Sequence, residues 1–181
     1  MFPTSSVAGL AVTLLSLFQH ASAQLNTATT PSLNVTAIGA ANGASTIECW
    51  QFGPFASSSV PGVSGALTLF LGSASNATFT VVPGRFDGGL HNAPVPQFVF
   101  FSSGLIHITL PNSTDDVWIH GGKYGLIVAA DTRDVSALGH RTEYPSAADT
   151  VALQVPIAEG SKFNHRVLHP GACTEQEMAG F

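Results

Sequence analysis

Six histidines lie beyond residue 23 of this chain, at 91, 107, 120, 140, 165 and 169. They are its best candidates for chemistry, because imidazole both ligates metals and carries protons near neutral pH. His165 and His169 have the four-residue spacing that a helix turns into a metal pair. Pro170-Gly171 follows at once and no Glu stands between them, so they read as loop residues. His120 precedes Gly121-Gly122 at a strand end and reads as exposed. His91, His107 and His140 differ, since each sits in or beside an apolar, strand-like run. In LIHITL, residues 105–110, the period of two puts Leu105, His107 and Thr109 on one face and Ile106, Ile108 and Leu110 on the other. The isoleucine face is the packing face, and His107 looks either into a barrel lumen or into solvent.

Other catalytic patterns find little support. Gly62-Val63-Ser64-Gly65 stops one residue short of a nucleophile elbow. Asp115-Asp116 lies beside a glycosylation sequon in an expected turn and reads as a solvated face rather than half of a glycosidase pair. Phosphate loops and zinc-finger spacings are missing. The formal charge is −5, with no basic cluster anywhere, which argues against nucleic acid as a partner.

The elements that must position the histidines read as strands. From Ile47 onward short runs rich in β-branched and aromatic residues succeed one another: 47–52, 66–71, 77–82, 97–101, 105–110, 116–120, 125–130, 139–144 and 150–155. Gly, Pro, Asn, Ser and Asp clusters punctuate them. The expected fold is an all-β sandwich or barrel. Thr174-Glu-Gln-Glu177 has the spacing of a capping box and predicts a short C-terminal helix or tail over 174–181.

Residues 1–23 hold an apolar stretch, Val7–Phe18, followed by Ala21-Ser22-Ala23, and read as a signal peptide too short to cross a bilayer. The mature chain is expected to be secreted, with no membrane segment, as one domain over 47–173. Residues 24–46 read as a loose N-terminal arm with one short strand near Leu33–Ile38. The two cysteines, Cys49 and Cys173, are expected to pair in an oxidising compartment. Closing so long a loop stabilises by roughly 4–5 kcal/mol on the chain-entropy account. Asn34, Asn76 and Asn112 each open an Asn-x-Ser/Thr sequon and are expected at the surface as glycosylation sites.

From about Gly84 to Pro156 the chain resembles the cupins, small β-barrel proteins whose first motif runs Gly, five residues, His-x-His, three or four residues, Glu, six residues, Gly. On this chain the first His is His91, the second ligand position is Ala93, the Glu position is Gln97, and Gly104 closes the motif. The stretch HNAPVPQFVFFSSGLIH is similar to a group of small cupins reading His-x-Ala-Pro, Gln, a Ser-Gly turn and an acidic residue, whose place His107 takes. Asp131-Thr132 and Gly139-His140 match the same group downstream, while Val135, Ala137 and Tyr144 stand at altered positions of the second motif.

The resemblance implies a cupin-type double-stranded β-helix, or jelly-roll barrel. It also implies a site gathering His91, His107 and His140 around a divalent transition metal: zinc, iron, copper, nickel or manganese. Gln97 would orient substrate or water, Asp131 would act from behind the ligands, and Phe98, Phe100 and Trp118 would wall the lumen. The function implied is a metal-dependent enzyme, an oxidoreductase or isomerase, acting on a small molecule. The rival reading is a non-catalytic binding or matrix protein that keeps the pocket for a sugar or small aromatic ligand. A homodimer through edge strands is the expectation from the same resemblance.

Overall fold

The computed structural model describes residues 30–161 and 164–179. The signal peptide of the sequence reading and the start of the N-terminal arm lie outside them. No helix among the described residues is long and apolar enough to cross a membrane.

Among the described residues, thirteen strands and one short helix follow in order: β1 (Leu33–Ala41), β2 (Ala44–Phe52), β3 (Ala56–Ser57), β4 (Leu67–Thr68), β5 (Thr78–Val82), β6 (Phe86–His91), β7 (Gln97–Ser103), β8 (Leu105–Thr109), β9 (Asp116–His120), β10 (Leu126–Ala129), β11 (His140–Tyr144), β12 (Thr150–Pro156), β13 (Arg166–Pro170) and α1 (Glu175–Met178). A seven-stranded sheet has the order β13-β2-β1-β10-β7-β12-β5, and a four-stranded sheet the order β6-β11-β8-β9. β3 and β4 form a separate ribbon. The protein is all-β with a short C-terminal helix. Both main sheets end in unpaired edge strands, and neither closes on itself.

The sheets stack through one core. Ile38, Ile47, Val99, Phe101, Ile127 and Ala152 of the larger sheet meet Ile106, Ile108, Val117 and Ile119 of the smaller. On β8 and β9 the isoleucine and valine positions are buried and their neighbours face out, as a half-buried strand requires. A second apolar cluster, Val35, Ala37, Trp50, Phe52, Phe98, Val128 and Ile157, lies on the outer face of the larger sheet, with Leu69 and Leu71 packed against it. Its central strands are therefore buried on both faces, which is why β10 reads LIVA without alternation.

The expected loose arm holds more order than the sequence suggests. β1 runs nine residues and sits between β2 and β10, pairing antiparallel with the first and parallel with the second. The short strand expected near Leu33–Ile38 is part of it, and the Gly and Ala content of the residues that follow hides its full length, since small residues fit where both faces are covered. β6 and β13 lie outside the expected strands, because Gly88-Gly89 and the His-Pro ending carry little β signal. Of the expected 66–71 run only Leu67–Thr68 is a strand.

Cys49 and Cys173 form the expected disulfide, with Cα atoms 4.6 Å apart, and tie α1 to β2. Thr174 caps α1 in a full capping box with Glu177. Asn76 and Asn112 are exposed between strands. Asn34 differs: its Nδ2 donates to the Glu177 carbonyl and its Oδ1 accepts from Gln51 Nε2.

Candidate functional site

The period-2 rule on β11 sends His140, Thr142 and Tyr144 between the sheets and Arg141 and Glu143 outward. β6 pairs antiparallel with β11, and His91 stands directly opposite His140. Their ring centroids are 4.6 Å apart. From the larger sheet, β7 contributes Gln97, Val99 and Phe101 to the same space, while β5 and β12 contribute Thr80 and Gln154. These residues line a cavity of about 130 Å³ between the sheets.

His140 is the most firmly built member. It is 5 % exposed, and its Nδ1–H donates to Oδ2 of Asp131, which is fully buried, at 2.7 Å. Ser45 Oγ–H donates to the same Oδ2 at 2.7 Å, Ser136 Oγ lies 2.8 Å from Ser45 Oγ, and the Gly139 N–H donates to Ser136 Oγ. Each hydroxyl has one proton, so the chain runs one way, from Gly139 through Ser136 and Ser45 to the carboxylate. Asn92 Nδ2 donates to the carbonyls of Asp131 and Ser136 and fixes the loop that carries them. Gly139 is required here: its φ is +72°, and a Cβ would strike the His91 carbonyl.

These bonds assign the tautomer. With Nδ1 as donor, Nε2 of His140 keeps its lone pair, and no described residue bonds to it. His91 is arranged alike, its Nδ1 lying 3.0 Å from the Gly89 carbonyl. Partial burial holds His91 below the ordinary imidazole value, helped by His140 and opposed by the Gly89 carbonyl and Asp131. Gln97 is 6 % exposed, and its amide makes no hydrogen bond among the described residues. Burial pushes the Tyr144 phenol up, so it stays a hydrogen-bond donor. The cavity lining holds no Lys, Arg, Asp or Glu.

The structure brings together His91, Gln97 and His140, with Asp131 behind His140. It does not bring His107 to them. His107 stands on the outer face of the smaller sheet, where its ring stacks on Trp118 at 4.0 Å and its Nε2 lies 2.8 Å from Asp116 Oδ2. The alternation on β8 decides this, because Ile106 and Ile108 occupy the inward positions. The convergence of three imidazoles is corrected to a pair. The expected apolar wall is corrected too: Phe98 belongs to the cluster on the far side of the larger sheet, Phe100 is partly exposed there, and Trp118 faces outward, whereas Val99 and Phe101 line the cavity.

Thr142, Thr80 and Gln154 were not singled out from the sequence, and Tyr144 was noted only as an altered motif position. Thr142 and Tyr144 could have been read as cavity residues, since they alternate with His140. Ser45 and Ser136 carry no local signal, because they meet Asp131 only through folding.

A donor set of two imidazole nitrogens and one amide oxygen is one nitrogen short of the expected three-histidine ligand set. Elsewhere among the described residues, Cys49, His169 and Glu177 place ligand-type atoms within 4.8 Å of one another. Cys49 is already in the disulfide. The Glu177 carboxylate is held at about 2 by Thr174 and then by His169, so this cluster is a clasp for the C-terminal tail.

No family model and no curated protein matches this chain. Among solved structures, a conserved protein of unknown function from Streptococcus pyogenes is similar over 50 % of this chain and 75 % of its own, at 20 % identity and a TM-score of 0.32. So slight a likeness supports no conclusion about fold or function.

Proposed function

We propose that this is a secreted, cupin-like protein that binds a small neutral molecule between its two sheets and exchanges a proton with it through His140. One observation carries the reading. The side chains of Gln97 and His140, both buried, leave the Gln97 amide and the His140 Nε2 without protein partners on one cavity, whereas buried polar groups are normally paired, and the exposed His91 adds a second open Nε2 at its edge. Unpaired groups gathered in this way are what a ligand with hydrogen-bonding atoms completes. The uncharged lining selects a neutral ligand, since an ion taken into it would lose its hydration without a counter-charge. A volume of about 130 Å³ suits a molecule, or part of one, of about half a dozen heavy atoms, because a cavity near 150 Å³ accepts benzene.

Asp131 fixes the His140 ring and stabilises its protonated form when Nε2 takes a proton from the ligand. Gln97 and the Tyr144 phenol would hold an oxygen of the ligand while that charge moves. The cupin-type barrel belongs to this proposal, resting on the motif positions of His91, Gln97, Asp131 and His140. Secretion is supported by the Cys49–Cys173 bridge, a bond that oxidising compartments favour.

A second reading has its own support. Metal-bound histidines donate the other ring N–H to a carboxylate or carbonyl, as His140 does to Asp131 and as the His91–Gly89 contact allows. His91, His140 and Gln97 would then hold a transition metal, which would supply Lewis acidity to the bound molecule.

Ligand-observed NMR with a library of neutral fragments tests the first reading. Binders are expected for the wild-type chain and lost in His140→Ala and Gln97→Ala; a set of binders indifferent to both substitutions would refute it. Titration with cobalt(II) tests the second: a visible absorption band that disappears in His91→Ala supports it, and no band in the wild type removes it.

A further inference from the structure

The outer face of the larger sheet holds a feature the inter-sheet site does not use. Phe98 and Phe100 on β7, Leu126 on β10 and Val155 on β12 alternate with the residues that line the inter-sheet cavity, so they stand on the opposite face. Phe100 and Leu126 are cross-strand partners. Phe100 is 37 % exposed although β7 lies inside the sheet.

Two hollows share the Phe100–Leu126 pair. The first, about 150 Å³, is formed with Leu71 and Ile157, and Ser73 is the one polar side chain on its wall. The second, about 190 Å³, is formed with Leu33 and Val35 of β1 and Met178 of α1. Together they make an apolar groove from β1 across β10 and β7 to β12, about 14 Å at the usual spacing of strands. Asn34, Tyr124 and Lys123 complete the second hollow. Asn34 is already engaged by Gln51 and by the Glu177 carbonyl. Lys123 differs. Its Nζ lies 4.9 Å over the Tyr124 ring, and no carboxylate of the described residues stands within ion-pair distance of it, in a chain of formal charge −5. Glu175 lines a separate cleft that shares Tyr124 and Met178, and it does not pair with this lysine. Lys123 is therefore the only charged side chain on the groove.

We propose that this groove binds a free fatty acid, with the acyl chain laid over Phe100 and Leu126 and the carboxylate at Lys123. The strands beneath the groove are interior ones whose backbone groups are spent on each other. A peptide or a sugar brought onto them would lose hydrogen bonds to water with nothing to replace them. A hydrocarbon chain loses none and gains by leaving water. The single cation at one end admits one negative charge and fixes the direction of the chain. The site lies on the other face of the sheet from the inter-sheet cavity, and neither depends on the other.

The test uses the full chain made in a bacterial periplasm, where the disulfide forms and no N-glycan is added at Asn34. Octanoate, decanoate and dodecanoate, each below its micelle concentration, and decanol as the neutral counterpart are titrated into it by calorimetry. Each acid is expected to bind saturably, with affinity rising about tenfold for every two methylene groups added. Lys123→Met, which keeps an unbranched side chain and removes the charge, should weaken decanoate by about fivefold and leave decanol unchanged. Ala74→Phe, at an exposed position on the first hollow, should abolish the gain from decanoate to dodecanoate, and His140→Ala should change nothing. The proposal is overturned if none of the three acids saturates the chain, if Lys123→Met affects acid and alcohol alike or neither, or if the chain-length gain survives Ala74→Phe. Binding lost in His140→Ala would also overturn it, moving the acid to the inter-sheet cavity. So would a dimer in sedimentation that decanoate does not dissociate, marking the groove as an interface between copies.

Discussion

The two faces of the smaller sheet treat the same residue types in opposite ways. On the inner face, His140 meets a carboxylate that is fully buried and held by a serine. On the outer face, His107 meets Asp116, whose side chain is 48 % exposed. Both contacts are short, 2.7 and 2.8 Å. Away from water such a bond is strong and cannot be replaced, whereas at the surface solvent replaces either partner at little cost. Length alone therefore says little about what a histidine–carboxylate contact does; the side of the strand on which it stands decides.

The sharpest way to break this comparison is to remove each carboxylate. Asp131→Ala leaves the Ser45 hydroxyl and the His140 N–H buried without acceptors, at about 1–3 kcal/mol each, so a loss of about 3 kcal/mol is expected in urea unfolding. Asp116→Ala should cost less than about 0.5 kcal/mol. Equal losses in the two variants would remove the distinction between the faces.

A smaller effect is expected from Gly139→Ala. The new methyl group meets the His91 carbonyl, and the positive φ is strained for alanine, together about 2 kcal/mol. Gly122, also at positive φ but with open space around it, should lose only about 1 kcal/mol on the same change. If the fold tolerates both equally, the close approach of β6 to the Gly139 turn is not what holds the histidine pair together.

The smallest effect concerns pH. His91 is held below the ordinary imidazole value in the folded chain, so the unfolded chain takes up its proton first as pH falls. The resulting stability is present above about pH 6.5, the unfolded value, and is lost as pH falls through the folded one. His91→Asn should flatten the stability profile below pH 6.5, and NMR titration of the ring should place its midpoint below that of a free imidazole. A midpoint at or above that value would contradict the burial assigned to it.

Much of the fold was legible from residue order. The punctuation by Gly, Pro and Asn marked most of the strands after Ile47, Thr174 and Glu177 marked the helix start, and the even cysteine count marked the bridge. β1 was expected only as a short strand near Leu33–Ile38, and its continuation to Ala41 escaped because glycine and alanines at a doubly covered position carry neither alternation nor bulk. In the candidate site, His91, Gln97, Asp131 and His140 were suggested as a set only by the resemblance to the cupins, which also suggested His107, and the serines that orient Asp131 were not suggested at all.

The period of two is a local property of an extended chain, so the sequence by itself determined that His140, Thr142 and Tyr144 share a face and that His107 opposes Ile106 and Ile108. It could not determine what lies beyond each face. Whether a polar face looks into a cavity or into water depends on which strands stack and where each sheet ends, and those contacts join residues far apart in the chain. Only the tertiary structure set His91 opposite His140, turned His107 toward Trp118, and left a buried amide at Gln97 without a partner of its own.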